Sequence, residues 1–294
     1  MNPDKTWSQC DMNNAIAAII PENAWKSTVA IIRVEKEKET LHQFGTGTLF
    51  RVADESFRVT AGHIAKYAEK YDIPLCVPTS GSSFVQLHGN WICSADGQYG
   101  VPDDPFDIAI HKLDSNVVEK LAGYSFLRLA EINYEDVLLS KGIFALFGYP
   151  FKLSRSCTSS DIDLLITPFQ FVTYAYEGTT EYIKKYQERF HILLNAEPTD
   201  ITSISGKPFA FTDREGNGAQ FPKELGGISG CSVWWIGSRD KPIEQWSEEK
   251  PKIVALETGV YPRIIKATRW VGVSTLIHSA FPELRPALDL WYVG

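Results

Sequence analysis

Between residues 28 and 113 the chain offers six short strand signals, and no helix between them is long enough for a crossover. The signals fall at residues 28–34, 44–50, 57–61, 74–77, 84–93 and 108–113. They are rich in β-branched and aromatic residues, and turn-forming stretches separate them. Parallel neighbours need a connection of about a dozen residues or more. These strands must therefore pair antiparallel, which points to an all-β barrel or sandwich. A helical connector is expected at residues 115–121. A second series follows at residues 142–148, 164–176, 188–195, 231–236, 253–259 and 271–276. Short helical additions are expected at both ends: one over residues 12–20, stopped by Pro21, and one beyond His278, interrupted by Pro282 and Pro286. Residues 197–224 read as a long polar surface loop. The expected division is an N-terminal extension (1–24), a first β unit (25–125), a second β unit (126–277) and a C-terminal tail (278–294).

Composition narrows the function classes. The net charge is −7 at pH 7, which argues against a surface that coats nucleic acid. No apolar run reaches membrane length. The N-terminus lacks the basic-then-apolar layout of a signal peptide, so the expected location is the cytoplasm. The chain has five cysteines with no Cys-x-x-Cys pair. They signal neither a zinc knuckle nor a thioredoxin-like site and read as free, buried thiols in a reducing compartment. His42, His88, His111, His191 and His278 show no metal-ligand spacing. No metal, organic cofactor, membrane or nucleic acid is expected.

Three short segments carry the chemistry. Val59-Thr60-Ala61-Gly62-His63 ends a strand on a histidine. Pro105-Phe106-Asp107-Ile108-Ala109 opens a strand with an aspartate. Gly226-Gly227-Ile228-Ser229-Gly230-Cys231 sets a serine among glycines just before an apolar strand. Each has an ordinary structural reading when taken alone: a core histidine, a turn cap and a β-turn. Taken together they have a chemical logic. A serine hydroxyl needs a positioned base, histidine titrates near neutrality, and a carboxylate fixes the histidine tautomer.

These segments resemble the motifs of the trypsin-like (chymotrypsin-fold) serine peptidases, of bacterial intracellular type. Thr60-Ala61-Gly62-His63 is similar to the family's Thr-Ala-Ala-His, Asp107-Ile108-Ala109 to its Asp-Ile-Ala, and Gly227-Ile228-Ser229-Gly230 to its Gly-Asp-Ser-Gly. Phe147-Gly148-Tyr149-Pro150 resembles a Gly-Tyr-Pro of glutamyl-endopeptidase-like members. The resemblance covers about residues 25–277, and the order His, Asp, Ser is the family's own. It implies two packed six-stranded antiparallel β-barrels, with His63 and Asp107 on the first and Ser229 on the second. It implies an oxyanion hole made by the N–H groups of Gly227 and Ser229. Residues 255–259 would lie along the substrate backbone, and Lys223 to Gly226, with Thr258 and Gly259, would wall the specificity pocket, where Lys223 or the neighbouring loop would favour an acidic side chain.

The departures also inform. Cys231-Ser232 replaces the usual Gly-Pro after the nucleophile; Cys231 lies two residues past the serine and reads as packing. Ile228 replaces the aspartate that pairs with a newly trimmed N-terminus, so activation by trimming is not expected. Ile64 stands where secreted members have a cysteine. The expectation is a serine endopeptidase acting on protein or peptide substrates. A regulatory protein partner, or ordering of residues 197–224, would restrain it. A catalytically inactive protease-fold scaffold and an ester-cleaving acyl hydrolase remain as alternatives.

Overall fold

The computed structural model describes residues 15–35, 40–79, 83–95, 104–133, 141–156, 164–196, 225–248 and 250–293. The protein is mostly β, built on two antiparallel sheets. The first sheet holds β1 (Thr28–Glu35), β2 (Thr40–Val52), β3 (Glu55–Ala61), β4 (Leu75–Pro78), β5 (Phe84–Gln86), β6 (Ile92–Cys93), β7 (Ile108–Lys112) and β8 (Leu127–Arg128). Its order is β5-β4-β1-β2-β3-β7-β6, with β8 added to β2. The two-residue loop Ala53-Asp54 joins β2 to β3, and Ala53 takes a φ of 50° there.

The expected count for this sheet was six. Residues 84–93 form two short strands rather than one, broken where Gly89 turns to a φ of +113°. The eighth strand has a geometric cause. Pairing of β1 with β2 stops at Thr28↔Thr48, and the rest of that edge of β2 is taken by β8, parallel, at Phe50↔Leu127 and Arg51↔Arg128.

The second sheet runs β12 (Phe169–Tyr174), β9 (Gly142–Gly148), β14 (Ser232–Ser238), β15 (Lys252–Tyr261), β16 (Ile264–Arg269), β13 (His191–Asn195). A separate two-residue ladder pairs β10 (Arg155–Ser156) with β11 (Leu164–Leu165). The two outer strands of the six-stranded sheet meet at one antiparallel bridge, Ala175↔Leu194, and Tyr176 N–H donates to the Leu193 carbonyl at 2.8 Å.

Two strand expectations are corrected here. Residues 271–276 lie inside the Trp270–Ala280 helix, not in a strand, and the sixth strand is β16. β16 forms a hairpin with β15 through Pro262-Arg263, where Arg263 has a φ of 65°. The long signal at 164–176 is split by Pro168, which lacks the N–H a central strand needs.

One continuous apolar core joins the sheets. It includes Phe50, Phe57 and Val59 of the first, Phe147, Trp234 and Ile265 of the second, and Trp270 of the C-terminal helix. Trp270 packs edge-on to Phe50 with ring centroids 5.4 Å apart. Helices occur at both ends, Glu22–Lys26 before β1 and Trp270–Ala280 and Arg285–Val293 after β16. Among the described residues no helix is long and apolar enough to cross a membrane.

Candidate active site

His63 sits in the first turn of the Gly62–Lys70 helix, directly after β3. Asp107 immediately precedes β7, the strand paired to β3 through Ala61↔Ile108. The pairing brings the two residues together. His63 Nδ1 lies 2.7 Å from Asp107 Oδ2, and His63 N–H donates to Asp107 Oδ1 at 2.8 Å. Gly62 N–H also donates to the Asp107 carbonyl at 2.7 Å. Asp107 thus holds both the ring and the backbone of His63, and its φ is 51°, in the left-handed region. The His63 side chain is 48% exposed and that of Asp107 27%.

The charges follow from this geometry. Burial works against the charged imidazolium, but the hydrogen bond and charge of Asp107, with a push from Glu257, outweigh it. The His63 pKa is raised. Burial also works against the Asp107 carboxylate, yet the hydrogen bond and charge of His63 hold it below the usual range.

The loop that carries Asp107 is fixed by both sheets. Asp104 Oδ1 accepts from Phe106 N–H at 3.0 Å and Asp107 N–H at 3.3 Å, and Ser94 Oγ donates to Asp104 Oδ2 at 2.8 Å. From the second sheet, Thr268 Oγ1 donates to the Phe106 carbonyl at 2.6 Å, and His191 Nε2 to the Pro105 carbonyl at 2.7 Å. The other His191 nitrogen accepts from Gln187 N–H at 3.0 Å, which leaves the proton on Nε2.

The turn with Ser229 is anchored the opposite way, by strands of the first sheet. Ser229 C=O accepts from Thr46 N–H at 2.9 Å, and Gly230 C=O from Thr48 Oγ1 at 3.2 Å. Gly227 C=O accepts from Thr46 Oγ1 at 2.8 Å and Gln43 Nε2 at 3.2 Å. Gly226 C=O accepts from Phe151 N–H at 2.8 Å. Gly227 and Gly230 have φ values of +99° and +91°, and a Cβ on Gly230 would lie 2.2 Å from the Thr46 carbonyl and 2.3 Å from Thr60 Oγ1. Only glycine lets the turn settle this closely on β2 and β3.

A consequence is visible in the amides. Ile228, Gly230 and Cys231 N–H groups donate to the carbonyls of Leu225, Glu257 and Ile228. The N–H groups of Gly227 and Ser229 donate to nothing among the described residues. In a trans peptide the N–H of one residue points opposite to the C=O of the residue before it: the Gly226 carbonyl, held by Phe151 N–H, turns the Gly227 amide away from Phe151, and the Ile228 carbonyl, held by Cys231 N–H, turns the Ser229 amide away from Cys231. No hydrogen bond joins Ser229 Oγ to His63 Nε2 among the described residues.

The other expected residues are placed as follows. Thr258 and Gly259 lie on β15, which pairs with β14 only as far as Ser232↔Leu256. Glu257 N–H then donates to the Cys231 carbonyl at 2.9 Å. Beyond it, among the described residues, β15 pairs with β16 alone and no strand takes its other edge. Lys223 and the 197–224 segment lie outside the described residues. Ile228 is fully buried in the core. Cys231 is buried too, and burial, with the charge of Glu257, raises its thiol pKa well above the usual value. Such a thiol is a poor nucleophile. Among the described residues no group of three or more His, Cys, Asp or Glu could hold a metal ion.

Four supporting residues were missed from the sequence: Thr46, Gln43, Asp104 and Glu257. Asp104-Pro105 carries a readable Asx-turn signal. The others act through contacts more than 180 residues apart in sequence (Gln43, Thr46) or through burial (Glu257), and leave no local trace.

No protein-family model matches the chain, and no curated protein matches it. Among solved structures, it is similar to one from work on the coupled folding and binding of the intrinsically disordered Sesbania mosaic virus VPg protein. The two are 15% identical over 83% of this chain and 87% of that one, with a TM-score of 0.38. A likeness this slight carries no argument about fold or function.

Proposed function

We propose that the protein is a serine endopeptidase, a hydrolase that cuts peptide bonds through His63, Asp107 and Ser229. The observation that carries this reading is the pair of amides, Gly227 and Ser229, unbonded among the described residues, on a turn anchored to the sheet that bears the His63–Asp107 pair. Ser229 Oγ attacks the scissile carbonyl as His63 Nε2 takes its proton. The oxyanion that forms accepts from the two amides, where loss of one donor typically costs about 10²–10³ in turnover. His63 then gives the proton to the leaving amine, and water hydrolyses the acyl-enzyme by the same steps. Asp107 keeps the Nδ1 proton in place and stabilises the imidazolium.

The edge of β15 at Thr258 and Gly259, unpaired among the described residues, suits an extended substrate backbone. We read each sheet as a barrel of the chymotrypsin type; the Ala175↔Leu194 bridge between the outer strands of the second supports this. Cys76, Cys93 and Cys231 are buried and form no disulfide among the described residues, which suits a cytoplasmic setting. A regulatory protein partner belongs to the same reading, since a peptidase among cellular proteins needs restraint.

Labelling with a fluorophosphonate probe tests the proposal. Labelling of the wild type and of Cys231→Ala, lost in Ser229→Ala, is the expected result. Its rate should rise with pH through the raised pKa of His63, because only the neutral ring accepts the serine proton. Absence of labelling in folded protein, alone and with cell extract, overturns the enzyme reading in favour of a non-catalytic scaffold.

A further inference from the structure

The two amides of the serine turn are not held in the same way. Ser229 N–H is directed from within the turn, since the Ile228 carbonyl before it accepts from Cys231 N–H at 2.8 Å. Gly227 N–H belongs to the peptide that joins Gly226 to Gly227. A peptide between two glycines has no Cβ on either side to limit its rotation, so its direction depends on what holds its carbonyl. That carbonyl, of Gly226, accepts from Phe151 N–H at 2.8 Å.

Local chemistry fixes that donor. Phe151 opens the short 3₁₀ helix Phe151–Leu153. The first N–H groups of a helix have no acceptor inside it, which frees the Phe151 N–H for the turn. Pro150 limits the entry of the chain, with φ −68° and ψ 140°. Tyr149 ties the same segment to the first sheet: its N–H donates to Thr46 Oγ1 at 3.0 Å and its hydroxyl to the Thr28 carbonyl at 3.3 Å. Thr46 in turn holds the carbonyls of Gly227 and Ser229. The Phe151 ring is 44% exposed; it does not enter the core but lies against the two glycines. A Cβ on Gly226 would be 3.2 Å from Cδ2 of this ring, and one on Gly227 2.6 Å from its Cδ1. Phe151 thus meets this peptide twice, through its N–H and through its ring.

We propose that Phe151 is a positioning residue of this site: its N–H grips the Gly226 carbonyl, its ring covers the peptide, and together they keep the Gly227 amide facing the oxyanion. With the peptide turned over, the Gly226 carbonyl faces the oxyanion in place of the amide and repels it. Ser229, its amide and the His63–Asp107 pair stay where they are. One donor of the two is thus built into the turn, and the other depends on a neighbouring element. The assignment rests on the peptidase reading for what the amide binds, but the direction of the amide is testable without turnover.

The test compares two variants of the full chain that both lack the ring. Phe151→Ala keeps the N–H, and Phe151→Pro removes it. Proline is accepted at the first position of a helix, and the extended backbone of Pro150 is the one a following proline requires. Fluorophosphonate labelling is expected to be at least tenfold slower in Phe151→Pro than in Phe151→Ala, in line with loss of one oxyanion donor. The ring-proton titration of His63 should be the same in both, which a general loosening of the fold would not leave. Equal labelling rates in the two folded variants overturn the proposal. Nuclear magnetic resonance reads the amides directly. A cross-peak between the Gly227 and Ser229 amide protons is expected in the wild type and Phe151→Ala, and its loss in Phe151→Pro. Absence of the cross-peak in the wild type overturns the proposal and needs no variant. Its persistence in Phe151→Pro overturns this inference and, with labelling of the wild type, leaves the peptidase standing. The expected cross-peaks without any labelling keep Phe151 as the residue that directs the amide and overturn the peptidase.

Discussion

Asp107 adopts a left-handed backbone, a conformation that costs a non-glycine residue free energy and persists where surrounding contacts enforce it. Here the enforcement comes from Asp104, Thr268 and His191. The expected effect of Asp107→Asn is therefore chemical rather than structural. It should lower the phosphonate labelling rate by about 10⁴-fold, since the amide cannot hold the needed tautomer. The His63 pKa, followed by its ring proton signals, should fall. An unchanged rate would remove Asp107 from the site. Arg58 poses the reverse question. Its guanidinium is fully buried, with no hydrogen-bond partner at any nitrogen among the described residues, and it lies over the Trp91 ring at 4.2 Å from the centroid. Desolvation lowers its pKa to about 9, so it stays charged at neutral pH. The unfolded chain binds the proton more tightly, so stability should rise between about pH 9 and the usual arginine range. Arg58→Met should raise the unfolding free energy at pH 7 by about 1–4 kcal/mol, by analogy with apolar replacement of buried charge. A lower urea midpoint would show that Arg58 has a counter-charge after all.

At the scale of elements, the loop at residues 104–107 decides whether the site exists. Thr268→Val keeps the shape but leaves the Phe106 carbonyl unpaired, which should cost about 1–3 kcal/mol. It should also slow labelling and loosen the His63–Asp107 contact. Normal labelling with lowered stability would show that the loop holds itself. The elements also show what could be read from the sequence. The β-branched runs of β1, β3 and β7 announced themselves, because their period and their turns are local properties. So did the three segments with His63, Asp107 and Ser229. β16 did not: Ile264-Ile265-Lys266-Ala267-Thr268-Arg269 mixes polar and apolar residues because one face meets the core and the other meets the Asp107 loop. Residues 271–276 misled for a related reason, as a helix apolar on most sides and buried looks like a buried strand. Glu257 gave no signal, since its burial and its backbone ties to the serine turn are revealed only by packing.

For the whole molecule the decisive fact is the shared core. Phe50, Phe57, Trp234 and Trp270 belong to one cluster that crosses between the sheets. Neither sheet keeps its interior without the other. Tryptophan fluorescence and far-ultraviolet circular dichroism should therefore report one coincident unfolding transition. Trp270→Ala should lower stability by about 3–5 kcal/mol while keeping the transition single. Two separated transitions would show independent halves. The anchoring of the two loops has a further meaning. The aspartate loop of one sheet is held by the other, and the serine turn of the second sheet rests on the first. This is an interlock: each half carries the other's safety catch. On the proposed peptidase reading, a molecule still emerging during synthesis, or one cut or partly melted between the sheets, has no assembled site to turn on its neighbours, and readiness to act becomes a report that the whole chain has folded.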